Sequence, residues 1–162
     1  MSTIPLYSAR DLTFVAESSD SRVEILRGIS FAIAPGELVV LAGPSGSGKS
    51  TLLSLLGLLA RPTGGELLFN GKSVHAIPDR FCARMRRFAI GYIFQDFQLV
   101  DVLSVEENIE YFLYRQGLSE RERAARLETS LRAVGLWHLR RNRPAALSGG
   151  QRQRVAIARA LA

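Results

Sequence analysis

The chain has a single cysteine, Cys82, so no disulfide can form within it, and its composition suits a reducing compartment. Histidine is nearly as scarce. His75 and His138 stand far apart and away from any cysteine or carboxylate cluster, which excludes a zinc site of ordinary spacing. No apolar run approaches the roughly 18 residues of a membrane-spanning helix, and no basic stretch followed by an apolar one opens the chain, so neither a span nor a secretory leader is expected. Internal repeats, heptads and low-complexity linkers are also missing. Acidic residues are absent from residue 139 onward, where Arg140, Arg141, Arg143, Arg152, Arg154 and Arg159 fall. The residues before that point balance at 15 basic and 15 acidic, so these arginines carry the whole formal charge of +6. Only Trp137 lies near them, too little aromatic surface for nucleic-acid stacking, and they read as a solvated flank of a C-terminal helix.

What is present is a chain of 162 residues, 47% hydrophobic, large enough to bury a core as one domain. Its most specific stretch is Gly43-Pro-Ser-Gly-Ser-Gly-Lys-Ser-Thr51. Upstream, Glu37 to Ala42 reads as a strand covered on both faces; downstream, Ser50 to Leu59 is too long and leucine-rich for another strand and reads as a buried helix. In that setting the pattern GxxxxGK[ST] is a phosphate-binding loop. Gly43, Gly46 and Gly48 let peptide N–H groups close on phosphate oxygens, with Ser45 in the same loop. The helix start adds unpaired N–H groups and the positive end of its dipole. Lys49 supplies a mobile cation for the outer phosphates, Ser50 a hydroxyl for Mg²⁺, and Thr51 stands by the inner phosphates.

A second motif, Leu147-Ser-Gly-Gly-Gln151, continues as Arg-Gln-Arg-Val-Ala-Ile-Ala-Arg-Ala-Leu161. Ser148 followed three residues later by Gln151 is a capping box, and Gly149 and Gly150 bare the backbone of the first turn as a candidate anion site. Further capping boxes at Ser104/Glu107 and Ser119/Glu122 open predicted helices near 105–115 and 120–134. Strand-like residues at 7–15, 24–33 and 66–70, between turn signals such as Asn70-Gly71, predict an antiparallel layer. Residues 37–42 and 90–94 are the candidate strands of a parallel core sheet.

The two motifs, a hundred residues apart, resemble those of the ATP-binding-cassette ATPases, whose signature is the second. Leu26-Arg-Gly-Ile-Ser30 and Ile90-Gly-Tyr-Ile-Phe-Gln-Asp-Phe97 are similar to further family segments, the latter to the Q-loop with Gln95 as its glutamine. The wording of 90–109 and 143–162 most resembles the lipoprotein-release and macrolide-export branch. The fold implied is α/β: a P-loop NTPase core with an antiparallel β layer and an inserted helical subdomain. Residue 162 precedes any Walker B strand with its Asp-Glu pair, so the C-terminal part of that core is expected to be missing. The organisation implied is a single truncated domain over 1–162. About 1–95 would hold the β layer and first part of the core, about 96–150 the Q-loop and helical subdomain, and 148–162 the signature helix.

The resemblance also implies roles. Gln95 would touch Mg²⁺ or the attacking water, and an aromatic residue would stack on adenine, Phe14 first and Tyr7 as the alternative. Ser148, Gly149 and Gly150 would meet the γ-phosphate held by the opposite subunit of a head-to-tail homodimer. ATP and Mg²⁺ are the implied ligands, and no nucleic-acid partner is expected. A membrane permease would dock around Gln95 to Val105 through Phe97, Leu99, Val100, Val102 and Leu103, unless these fill the interface between lobes. The function implied is the ATP-binding subunit of an exporter, cytoplasmic and peripheral on the inner membrane. A nucleotide-binding module without turnover, or a non-transport member of the same family, are the alternatives.

Overall fold

The computed structural model describes residues 4–17, 19 and 21–162; residues 1–3, part of the N-terminus read above for a leader, lie outside them. The chain divides into two compact units, Met1–Arg84 and Met85–Ala162.

In the first unit, β1 (Tyr7–Glu17), β2 (Arg22–Ile33), β3 (Gly64–Phe69) and β4 (Lys72–Ser73) form one antiparallel sheet in the order β2-β1-β3-β4. The hairpin between β3 and β4 turns at Asn70 (φ 48°) and Gly71 (φ 73°), the pair of left-handed residues that a type I′ turn requires. Register along β1 shifts between Ala9 and Leu12, where Asp11 (φ 47°) forms a bulge. Leu12, Leu26, Leu67 and Phe69 are buried in the sheet, and α1 (Lys49–Leu56) adds Leu52 and Leu55. Tyr7 ties helix to sheet: its hydroxyl donates to the Leu56 carbonyl at 2.6 Å and its ring packs 4.9 Å from Phe69. Burial pushes the Tyr7 phenol up to about 12.

Helix α1 stops short of the predicted Leu59. Leu58 turns to φ 55°, and the Leu59 N–H closes the end on the Ser54 carbonyl at 2.9 Å. Residues 37–42 and 90–94 depart further from expectation, because neither segment forms a strand. Among the described residues no strand pairs with either, and Leu38 and Val40 stand 91% and 80% exposed. A segment patterned for burial on both faces needs neighbours on both edges, and the only sheet among the described residues is the antiparallel one.

An unforeseen helix, α2 (Asp79–Phe88), follows a loop held by Arg61, whose Nη2 donates to the Ile77 carbonyl at 2.7 Å and Asp79 Oδ1 at 2.6 Å. The second unit is built on α3 (Val105–Tyr114), α4 (Glu120–Ala133) and α5 (Gly149–Leu161). All three open on the capping boxes read from the sequence. Val105, Ile109, Leu113, Leu131, Leu136, Leu147, Val155 and Ala158 form their common core. Each larger side chain there contributes about 1.5–3 kcal/mol by burial, so packing rather than helix propensity holds the unit together.

Candidate functional site

The loop ahead of α1 is shaped by its glycines. Gly48 is the N-cap of α1 at φ 86°, and a Cβ there would lie 2.7 Å from Leu26 Cδ2 and 3.1 Å from the Ile25 carbonyl oxygen. Only glycine satisfies both the backbone conformation and the close packing on β2. No side chain caps α1 and no acid occupies its first turn, so its N-terminal N–H groups and dipole are left for an incoming anion. Lys49 Nζ donates to the carbonyls of Gly43 at 2.9 Å and Pro44 at 2.6 Å and to Ser47 Oγ at 3.3 Å. Its charge therefore rests on neutral oxygens, which an anionic oxygen outcompetes. Gly43, Ser45, Gly46 and Ser50 are exposed and Thr51 is half-buried.

The exposed Ser50 hydroxyl of the loop is a hard oxygen donor of the kind magnesium takes. Among the described residues no three or more His, Cys, Asp or Glu gather to hold a metal, so a dedicated protein cage is not available. Gln95, exposed in the second unit, carries an amide oxygen of the same hard kind, and an ion that keeps water and phosphate oxygens for most of its shell needs few protein donors.

The signature motif in the second unit is a capped helix start with an open first turn. Ser148 N–H donates to Gln151 Oε1 at 2.8 Å, and Gln151 N–H returns to Ser148 Oγ at 3.3 Å. A Cβ on Gly149 or Gly150 would meet nothing within 4 Å, and neither has a positive φ. Among the described residues neither packing nor conformation calls for glycine at these positions, and the bare first turn is open to close approach from outside.

The two aromatic candidates separate. Tyr7 is buried with its hydroxyl committed to α1, which removes it as a stacking platform. Phe14 is half-buried on β1, opposite Leu26. Sequence reasoning overlooked Asn108, whose buried amide holds the turn before α3. Its Oδ1 accepts from Val100 N–H at 2.7 Å, and its Nδ2 donates to the carbonyls of Val100, Leu103 and Ser104 at 3.1, 3.2 and 2.9 Å. The signal was an asparagine at a buried position between Val105 and Ile109. At the same cap, hydrogen bonds from the Ser104 N–H and hydroxyl hold the Glu107 carboxyl below its ordinary range.

The arginine flank also needs correction. Arg141, Arg143 and Arg152 are exposed, but Arg140 lies 4.5 Å over Trp137 and 3.6 Å from Glu106. Arg159 is half-buried, and desolvation lowers its pKa. Its guanidinium is occupied by the Phe97 and Gln98 carbonyls.

Comparison with known proteins identifies the family. Residues 26–162 match the sequence family described as ABC transporter. The macrolide export ATP-binding/permease protein MacB of Marinobacter nauticus is 45% identical over 161 residues, which cover 99% of this chain and 25% of that protein. An uncharacterized ABC transporter ATP-binding protein of Thermotoga maritima is 46% identical over 152 residues, 94% of this chain and 65% of its own length. The chain thus spans a quarter of one relative and less than two thirds of the other. Among solved structures, the ATP-binding cassette MJ0796, a dimer in a post-hydrolysis state bound to ADP and Pi, aligns with a TM-score of 0.87 at 35% identity, over 95% of this chain and 68% of that one. Because the match runs through both glycine-rich motifs and the helical unit between them, the chain belongs to the ABC transporter family.

Proposed function

We propose that this chain is an ATP-binding domain of a membrane exporter, hydrolysing ATP as part of the whole protein. The observation that carries this reading is the uncapped, acid-free start of α1 beneath the Lys49 ammonium. The loop N–H groups and Lys49 neutralise the phosphates, and Phe14 is the candidate face for adenine. Ser50 and Gln95 are the residues that would hold Mg²⁺, which when bound would supply positive charge against the triphosphate. Phosphoryl transfer depends chiefly on such positioning and electrostatics, so the chain's residues act by orienting the triphosphate and, through Gln95, the attacking water. The open turn at Ser148, Gly149 and Gly150 suits the γ-phosphate on a second copy arranged head to tail, and MJ0796 is described as dimeric.

The relatives' names, macrolide export in one case and pyoverdine export in another, support a permease partner. Val100 and Val102, 42% and 73% exposed on the turn held by Asn108, are the residues of 97–103 best placed to meet it. Leu99 instead packs against the helical core. Among the described residues no helix is long and apolar enough to cross a membrane. As the ATP-binding part of an exporter, this part of the protein would lie against the cytoplasmic face of the membrane.

Equilibrium dialysis against adenosine, AMP, ADP and ATP with Mg²⁺ tests the proposal. Affinity should climb with each added phosphate, because the loop recognises charge and oxygen rather than base. Adenosine bound as tightly as ATP would overturn it.

A further inference from the structure

The segment around Gln95 meets the end of α5 at two points. A Cβ on Gly91 would lie 2.6 Å from the Ala160 carbonyl oxygen, so the backbone ahead of Gln95 runs against the last turn of that helix. Beyond Gln95, Arg159 donates through Nη2 to the Phe97 carbonyl at 2.8 Å and through Nη1 to the Gln98 carbonyl at 2.7 Å. The guanidinium also lies 5.1 Å from the centre of the Phe112 ring. Phe97 and Gln98 have φ angles of 62° and 45°, a left-handed pair disfavoured for residues that carry a Cβ. Such a turn persists only where its surroundings over-determine it. Here the Phe97 N–H closes on the Phe94 carbonyl at 3.1 Å and the Gln98 N–H on the Asp96 carbonyl at 2.7 Å, and Arg159 pins both outer carbonyls from α5. Gln95 stands exposed between the two anchors.

We propose that Arg159 is the positioning residue for Gln95: its two-pronged grip on the Phe97 and Gln98 carbonyls lets the signature helix set where the glutamine amide points. This deepens the nucleotide-site reading and rests on Gln95 facing Mg²⁺ or water. Ten residues of helix, about 15 Å, separate Gly149 from Arg159. A shift of the helix start on meeting a second copy is thereby delivered to the Gln95 turn through one rigid element.

Arg159→Lys tests this, because it keeps the charge and replaces a planar fork with a point donor. Hydrogen–deuterium exchange on the chain should show amides of 95–99 exchanging about tenfold faster, the equivalent of one lost charge-assisted hydrogen bond, while the α3–α5 core keeps its protection. In nucleotide titrations, Arg159→Lys and Gln95→Ala should each reduce the gain in ATP affinity that Mg²⁺ confers, and the double variant should lose no more than Gln95→Ala alone. Unchanged exchange at 95–99 overturns the proposal, as does an unchanged Mg²⁺ gain in Arg159→Lys where Gln95→Ala loses it. Faster exchange with a Mg²⁺ gain intact in Gln95→Ala overturns instead the reading of Gln95. Should Arg159→Lys loosen the whole core, Phe112→Leu removes only the ring beneath the guanidinium and must speed exchange at 95–99 about threefold; no acceleration there overturns the proposal.

Discussion

Replacing Lys49 with alanine lowers ATP affinity by roughly 10- to 100-fold and leaves adenosine binding unchanged, the range set by one or two hydrogen bonds to a charged group. The ammonium already spans the mouth of the loop through the Gly43 and Pro44 carbonyls, so its exchange of neutral for anionic oxygens needs little rearrangement. Without it the α1 dipole and backbone N–H groups must compensate the phosphates alone. Folding is spared, since the side chain bonds only to the loop and the burial of α1 rests on Leu52 and Leu55. A fluorescence titration against both ligands measures the difference, and equal ATP affinity in parent and variant would remove Lys49 from the site.

Gly150→Asp should abolish ATP-dependent pairing of two chains while each still binds nucleotide. The carboxylate would occupy the open first turn of α5, where a γ-phosphate from a second copy is proposed to arrive, and like charges so juxtaposed cost several kcal/mol, roughly a hundredfold or more in association. The same charge is favourable to the isolated helix, because it sits at the positive end of the dipole beside the Ser148 cap. A variant that melts no lower than the parent yet sediments as a monomer with ATP is the expected result. Pairing at parental strength would place the contact elsewhere.

Features written in local chemistry were legible in the sequence. The three capping boxes at Ser104, Ser119 and Ser148 formed as their spacing predicts, and Asn70-Gly71 made the hairpin turn. Each is decided within a few residues. The core strands were less secure, because 37–42 and 90–94 depend on neighbours that the described residues do not supply. The order of Phe14 before Tyr7 rests on the family resemblance alone. What separates them is a hydroxyl reaching Leu56, 49 residues away in sequence. Arg159 was hidden for a similar reason: an arginine on a charged stretch reads as solvated until the carbonyls of Phe97 and Gln98, 62 and 61 residues away, are found at its tip. The phosphate loop stands between these cases. Its glycines announce their conformation locally, whereas the packing of Gly48 on Leu26 and Ile25 is tertiary.

The central claim is that the chain receives a triphosphate on the N–H groups that open α1. Backbone amide NMR during titration with ATP tests it most directly. The account predicts large shifts at Gly46, Gly48, Lys49, Ser50 and Thr51, with smaller ones toward Phe14 and none in the helical core around Ile109 and Leu131. Shifts confined to the arginines beyond residue 139, with the loop from Gly43 to Thr51 silent, would contradict it.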